Sequence, residues 1–227
     1  MKQRPFSNEY QDYAPHPRYG KEPRFTGFDP DVTSSSVHLH WNTRCFSAKQ
    51  IRLIERIVGG SVEGLLDDGT RRVSGTAVAA DLTRQTPSTV AVTHYYDLDK
   101  VCRDCGRRFI FFAEEQKHWY EDLGFPLEAE AVRCPQCRKR IQQIARWKRR
   151  YEQLYRASGR TPEDVFEMAE CGLLLMEEGV FSPRCAERIL GVVNGILEDQ
   201  RSGQQWTDIR VRLRNFVLGK STEARKG

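Results

Sequence analysis

Two Cys-x-x-Cys pairs, Cys102/Cys105 and Cys134/Cys137, stand 28 residues apart (106–133) and constrain this chain more than any other feature. Four thiolates in two close pairs match the tetrahedral demand of Zn²⁺, whose bonds to sulfur are about 2.3 Å long. Gly106 follows the first pair and Pro135 lies inside the second, so both pairs are expected on tight knuckles. A shell of four sulfurs leaves no open coordination position, which makes the expected role of the metal structural rather than catalytic. With seven cysteines in all, a pure disulfide framework is disfavoured. Cys45, Cys171 and Cys185 are left over, and each is expected as a small buried hydrophobe.

The stretch between the pairs reads as knuckle, strand, helix, strand, knuckle. Arg107 to Phe112 is a short apolar strand, and Glu114 to Leu123 is a helix stopped by Gly124, with Pro126 beyond it. Ala131-Val132-Arg133 returns the chain to Cys134. Trp119, Phe109 and Phe111 are expected to form a miniature core over the metal, with Glu115 or Gln116 bonded to the knuckle backbone. So small a unit buries little apolar surface, and metal binding then supplies folding free energy on the order of 10 kcal/mol.

Around this centre the chain reads as α+β: a small Cys₄ zinc ribbon with short strands, followed by an α-helical C-terminal region. The expected organisation is a flexible N-terminal arm (1–36), a small β-containing region (37–97), the zinc ribbon (98–140) and a helical region (141–220). The arm lacks periodicity, although its aromatic residues could dock on the body. Residues 37–41 alternate like a strand, residues 48–66 hold helical spacing broken by Gly59-Gly60, and residues 89–96 are β-branched and aromatic. Arg71-Arg72, with Asp67-Asp68-Gly69, reads as a turn. After Cys137 come helices over roughly 138–158, from Thr161-Pro162 to about Glu178, from Ser182-Pro183 onward, and over 208–218. In the last, Ile209-Arg210-Val211-Arg212-Leu213 alternates like a strand, and its helical neighbours favour helix.

The stretch from Tyr95 to Arg140 resembles a probable zinc-ribbon domain family of bacterial proteins. The resemblance rests on Cys102, Cys105, Phe109, Phe111, Glu115, Gln116, Trp119, Tyr120, Gly124, Phe125, Cys134, Cys137 and Arg138. It implies Zn²⁺ binding at the four cysteines and little more.

Charge points to a second feature. Residues 102–150 carry twelve basic and seven acidic groups, which accounts for the whole net charge of +5. Seven of those bases fall between Arg138 and Arg150 with no acid among them. At about 100° per residue, Arg138, Lys139, Arg146, Arg149 and Arg150 share one arc of a helix, opposite Ile141, Ile144, Ala145, Tyr151, Leu154 and Tyr155. Two readings fit this arc: a face that contacts the phosphates of DNA or RNA, or a solvated surface on a protein–protein adaptor that works through its C-terminal helices. His38 and His40 share a strand face, and His94 and His118 flank the metal segment; core or hydrogen-bonded roles are expected for them. No phosphate-loop, dinucleotide, nucleophile-elbow or H-E-x-x-H pattern occurs, so no catalytic residue is assigned and the chain is not read as an enzyme. The N-terminus has no apolar core typical of a secretory signal, and no apolar run approaches the roughly 20 residues of a membrane span. The expected setting is therefore the reducing cytoplasm, with no membrane partner.

Overall fold

A computed structural model of the chain describes residues 8–29, 71–86, 92–127, 129–196, 198, 200 and 203–219. The strand expected at 37–41, the helix at 48–66, and Cys45, His38 and His40 lie outside the described residues. The chain divides into two compact units, Met1–Arg138 and Lys139–Gly227.

In the first unit, β1 (Arg71–Arg72), β4 (Leu98–Val101) and β5 (Arg108–Phe111) form an antiparallel sheet in the order β1-β4-β5. A second pairing joins β2 (Val78–Ala79) to β3 (His94–Tyr95). Arg71-Arg72 is thus a strand paired with Leu98 and Asp99 rather than a turn. Strand β4 was not foreseen; it pairs along its whole length with β5, Leu98 opposite Phe111 and Val101 opposite Arg108. Helix α1 (Ala113–Lys117) continues as a π-helical turn, His118–Asp122, and ends before Gly124, whose φ of +65° a side chain would resist.

Asp97 ties these pieces together. Its buried carboxylate accepts from the Ala113 amide at 2.7 Å, at the N-terminus of α1, and from the Arg24 amide at 2.7 Å. Burial drives its pKa up to about 6, against the lowering effect of those two amides. Gln116 is buried too, donating to the carbonyls of Tyr96 at 2.6 Å and Phe111 at 2.9 Å. It therefore holds strand ends together and not the knuckle expected from sequence.

Residues 8–29 of the expected flexible arm pack into this first unit. Tyr13 and Ala14 are buried, and the Ala14 amide donates to the Arg108 carbonyl at 2.8 Å. The fold accommodates them because β5 is an edge strand with apolar residues on both faces. Phe109 and Phe111 pack with Cys102, Cys134 and Ala14, while Ile110 and neighbouring Phe112 pack with Tyr13, Tyr10 and Tyr19.

Helix α2 (Pro135–Arg156) begins in the first unit and continues into the second. The second unit adds α3 (Pro162–Glu177), α4 (Cys185–Asn194) and α5 (Gln204–Val217). Its core is built from Tyr151 and Leu154 of α2, Met168, Leu173 and Leu175 of α3, Ile189 and Val193 of α4, and Trp206, Ile209 and Leu213 of α5. Residues 209–213 are helical because Trp206, Ile209 and Leu213 bury at helical spacing, leaving Val211 exposed. Gly172 permits close packing in α3, since a Cβ there would meet Ile189 Cδ1 at 2.5 Å.

Thr161 and Asp164 form a reciprocal capping box at the start of α3: the Asp164 amide donates to Thr161 Oγ1 at 3.2 Å, and the Thr161 amide to Asp164 Oδ2 at 3.0 Å. Thr161→Ala is expected to destabilise the second unit by about 1 kcal/mol, read as a lower urea midpoint of its helical signal.

Candidate metal centre

The first cysteine pair sits on a knuckle directly after β4. The Cys102 amide donates to the Arg107 carbonyl at 2.9 Å, and the Gly106 amide returns to the Cys102 carbonyl at 2.9 Å. Gly106 has φ +70°, the left-handed conformation such a tight return needs. The second pair has a different support. Cys134 immediately precedes α2, Pro135 is its first residue, and Cys137 lies in its first turn. The Arg138 amide donates to the Cys134 carbonyl at 3.0 Å, an ordinary helical bond. The knuckle expected for this pair is thus a helix N-terminus, with proline where its missing N–H costs nothing.

The two supports are stitched together beside the sulfurs. The Arg103 amide donates to the Val132 carbonyl at 3.0 Å, and Arg133 pairs with Asp104 at 2.9 Å. The return segment 131–133 therefore runs without strand pairing, contrary to the strand expected there.

All four Sγ atoms lie within 4.8 Å of one another. A tetrahedron with metal–sulfur bonds of about 2.3 Å has edges of about 3.8 Å. Cys105 Sγ and Cys134 Sγ are 3.8 Å apart, so the residues present fit a single Zn²⁺ with little movement. Burial opposes a thiolate at Cys102, yet the backbone amides of Cys134, Cys105 and Asp104 and the Cys105 side chain outweigh it, bringing its pKa down to about 6. Burial and the neighbouring sulfurs push the Cys134 and Cys137 thiols up. One thiolate is readily formed, and a cation is needed to hold the rest ionised at such separations.

Immediately outside the sulfurs lies a buried ion pair. Arg138 Nη1 meets Glu115 Oε1 at 2.6 Å, and the Arg138 guanidinium lies 5.1 Å from the centre of the Trp119 ring. His16 Nε2 is 3.6 Å from the same Glu115 oxygen, while its Nδ1 accepts from the Arg18 and Tyr19 amides. Burial opposes the Glu115 charge, but His16 and Arg138 outweigh it and hold the carboxyl below its ordinary value. The expected miniature core is present as well: Phe111 and Trp119 lie 5.0 Å apart, next to Cys102, Cys134 and Cys137.

Of the five bases placed on one arc of α2, Arg138 is therefore spent inside the metal unit, and Arg150 pairs with Glu167 of α3 at 2.5 Å. Lys139, Arg146 and Arg149 are exposed, as is Lys148, and among the described residues none of the four makes an ion pair. On the opposite side, Ile144, Trp147, Tyr151 and Leu154 pack inward, whereas Ile141, Ala145 and Tyr155 are exposed. His118 bonds Asp122 at 2.7 Å, Cys171 is buried, and Cys185 is half-buried. His16, Tyr13 and Gln136 were not singled out from sequence; their partners lie tens of residues away and leave no periodic signal.

The purified chain is expected to hold about one Zn²⁺, and Cys102→Ser or Cys134→Ser to lose it, as read by elemental analysis. Arg138→Met leaves the buried Glu115 with His16 alone, at 3.6 Å, and an expected loss of about 3 kcal/mol in denaturant unfolding of the zinc-loaded chain. Adding Glu115→Gln should return most of that loss, because the uncompensated buried charge is its cause.

Residues 96–146 match the model of a family described as a probable treble clef domain. No curated protein and no solved structure matches the chain. The matched span takes in the β4–β5 hairpin, the knuckle, α1 and the first half of α2. Residues 96–146 thus resemble a probable treble clef domain, with four cysteines placed to bind one metal ion, consistent with Zn²⁺.

Proposed function

We propose that this zinc-binding protein contacts nucleic acid through the solvent face of α2, with the metal fastening the start of that helix. The carrying observation is the exposed set Lys139, Arg146 and Arg149, which has no acidic partner among the described residues. Gln142, Arg146, Arg149, Gln153 and Arg156 are all exposed at spacings of four, three, four and three residues. That spacing keeps them in one row along the helix, and at 1.5 Å per residue the row is about 21 Å long. Such a row follows several phosphates of a nucleic-acid backbone and reads no sequence by itself. Arg138, engaged with the buried Glu115 carboxylate, drops out of the contact set, while Arg150 is held only by an exposed pair with Glu167.

A filled shell of four sulfurs supports a binding protein rather than an enzyme. The unpaired cysteines support a reducing, cytoplasmic setting. No helix of the described residues is long and apolar enough to cross a membrane. A protein–protein adaptor is the second reading, favoured by the exposed apolar residues Val211 and Leu218 of the helical unit, 49% and 65% accessible.

Fluorescence anisotropy with labelled duplex DNA and RNA tests the first reading. Three phosphate contacts predict an affinity that falls about 40-fold between 50 and 200 mM salt. Arg146→Glu/Arg149→Glu should abolish most binding at low salt while the zinc content stays unchanged. If the wild-type chain binds neither nucleic acid at 50 mM salt, the first reading fails and the adaptor reading takes its place.

A further inference from the structure

Residues 12–16 leave a turn and run as a short irregular stretch beside the edge of the sheet in the first unit. β5 is the outer strand of the β1-β4-β5 sheet, and the Ala14 amide donates to its Arg108 carbonyl at 2.8 Å. Tyr13 and Ala14 belong to different apolar clusters, one on each side of β5. Tyr13 packs with Ile110 and Phe112; Ala14 packs with Phe109, Phe111, Cys102 and Cys134.

Three further polar contacts are to the backbone of this segment. Arg107 reaches the carbonyls of Asp12 at 3.5 Å and Tyr13 at 3.3 Å, and Gln136 Nε2 donates to the Pro15 carbonyl at 2.7 Å. Side-chain selectivity comes from two places. The Tyr13 hydroxyl donates to Asp99 Oδ2 at 3.1 Å and accepts from Arg108 Nε at 2.8 Å, and His16 faces Glu115 at 3.6 Å.

The receiving surface is built without the segment. Asp99 and Arg108 already pair with each other across β4 and β5 at 2.5 Å, and Glu115 already pairs with Arg138. Neither charge pair includes Tyr13 or His16, so the charges of the groove are matched without its occupant, which adds two polar side chains and main-chain bonds. Side chains that read the main chain, with one backbone bond to a sheet edge, hold a peptide in the manner of edge recognition, and the side-chain contacts give selectivity. Release of the segment uncovers Ile110 and Phe112, a smaller cost than unfolding the sheet beneath and one that a replacing peptide offsets by covering them again.

We propose that the metal-bearing unit is a peptide-recognition module whose groove is filled in cis by Tyr13-Ala14-Pro15-His16, and that an extended Tyr-small-Pro-His segment of a partner protein replaces it. The small residue is required because Ala14 is buried in the cluster that also holds Cys102 and Cys134. Proline fits because that position needs no N–H, only the carbonyl that Gln136 reads.

The test uses the zinc-loaded full chain and a labelled synthetic peptide of residues 8–20. In Tyr13→Ala/Ala14→Asp, which weakens the internal occupant, the peptide is expected to bind at least tenfold tighter than in wild type. The same two changes made in the peptide should remove its binding, as should Arg107→Ala/Gln136→Ala in the chain. Equal affinity of the native and altered peptides, or no saturable binding to a variant that keeps its zinc, overturns the proposal. Hydrogen exchange of the wild-type chain decides the matter if the variant loses its metal. The Ala14 amide should then exchange at least tenfold faster than the amides paired between β4 and β5, and equal protection would make the segment a fixed part of the fold.

Discussion

The structure of the first unit depends on four sulfurs that repel one another until a cation lies between them. Its strands are two to four residues long, and sheets that short do not stand alone in water. The metal compensates by joining a knuckle at Cys102–Cys105 to the first turn of a 22-residue helix, two elements otherwise linked beside the site by one backbone bond and one exposed ion pair. Structural zinc contributes folding free energy on the order of 10 kcal/mol, more than any single contact around it. The helix end is also suited to negative ligands, because its unpaired amides carry partial positive charge.

What surrounds the metal follows from that clamp. Once the start of α2 is fixed, Arg138 is carried inward beside Trp119, and a half-buried guanidinium there is met by a buried carboxylate. Glu115 supplies it from α1, and its second neighbour, His16, comes from the N-terminal segment. β5 is the other organiser. With Phe109 and Phe111 committed to the metal side, Ile110 and Phe112 would be left exposed on the other face without Tyr10, Tyr13 and Tyr19. The docked segment satisfies both demands at once, covering an edge strand and an apolar face.

Much of this was legible in the sequence, wherever the cause of a structure is local. The cysteine spacing locates the metal, Gly124 ends α1, and Thr161-Pro162 with Asp164 starts α3. Pro135 carries the same first-position signal as Pro162, yet next to cysteines it reads equally well as a knuckle residue; only the helical bond from the Arg138 amide to Cys134 separates the two. Strand β4 escaped because Leu98-Asp99-Lys100-Val101 has two buried charged residues at its centre. Asp99 and Lys100 are tolerated there because Arg108 and Glu130 neutralise them. Neither partner is visible in a local pattern. The same holds for the docked segment, where Tyr13 meets Asp99 at a separation of 86 residues and Gln136 meets Pro15 at 121.

A helical wheel sorts the basic run of α2 by angle, and angle alone puts Arg138, Lys139, Arg146, Arg149 and Arg150 together. Tertiary partners sort it differently. The first and last of the five are claimed by Glu115 and Glu167, each from another element. The claims differ in kind: the Glu115 side chain is 7% accessible and that of Glu167 43%. A buried pair holds its partner firmly, since releasing either charge strands the other, whereas an exposed pair is worth about 0–1 kcal/mol and yields to a competing phosphate. Arg138 is therefore a fixed part of the metal unit, and Arg150 is a base that a strong anion can recruit. Among the described residues, the basic side chains of α2 that have no ion-pair partner begin at Lys139, one residue beyond Arg138.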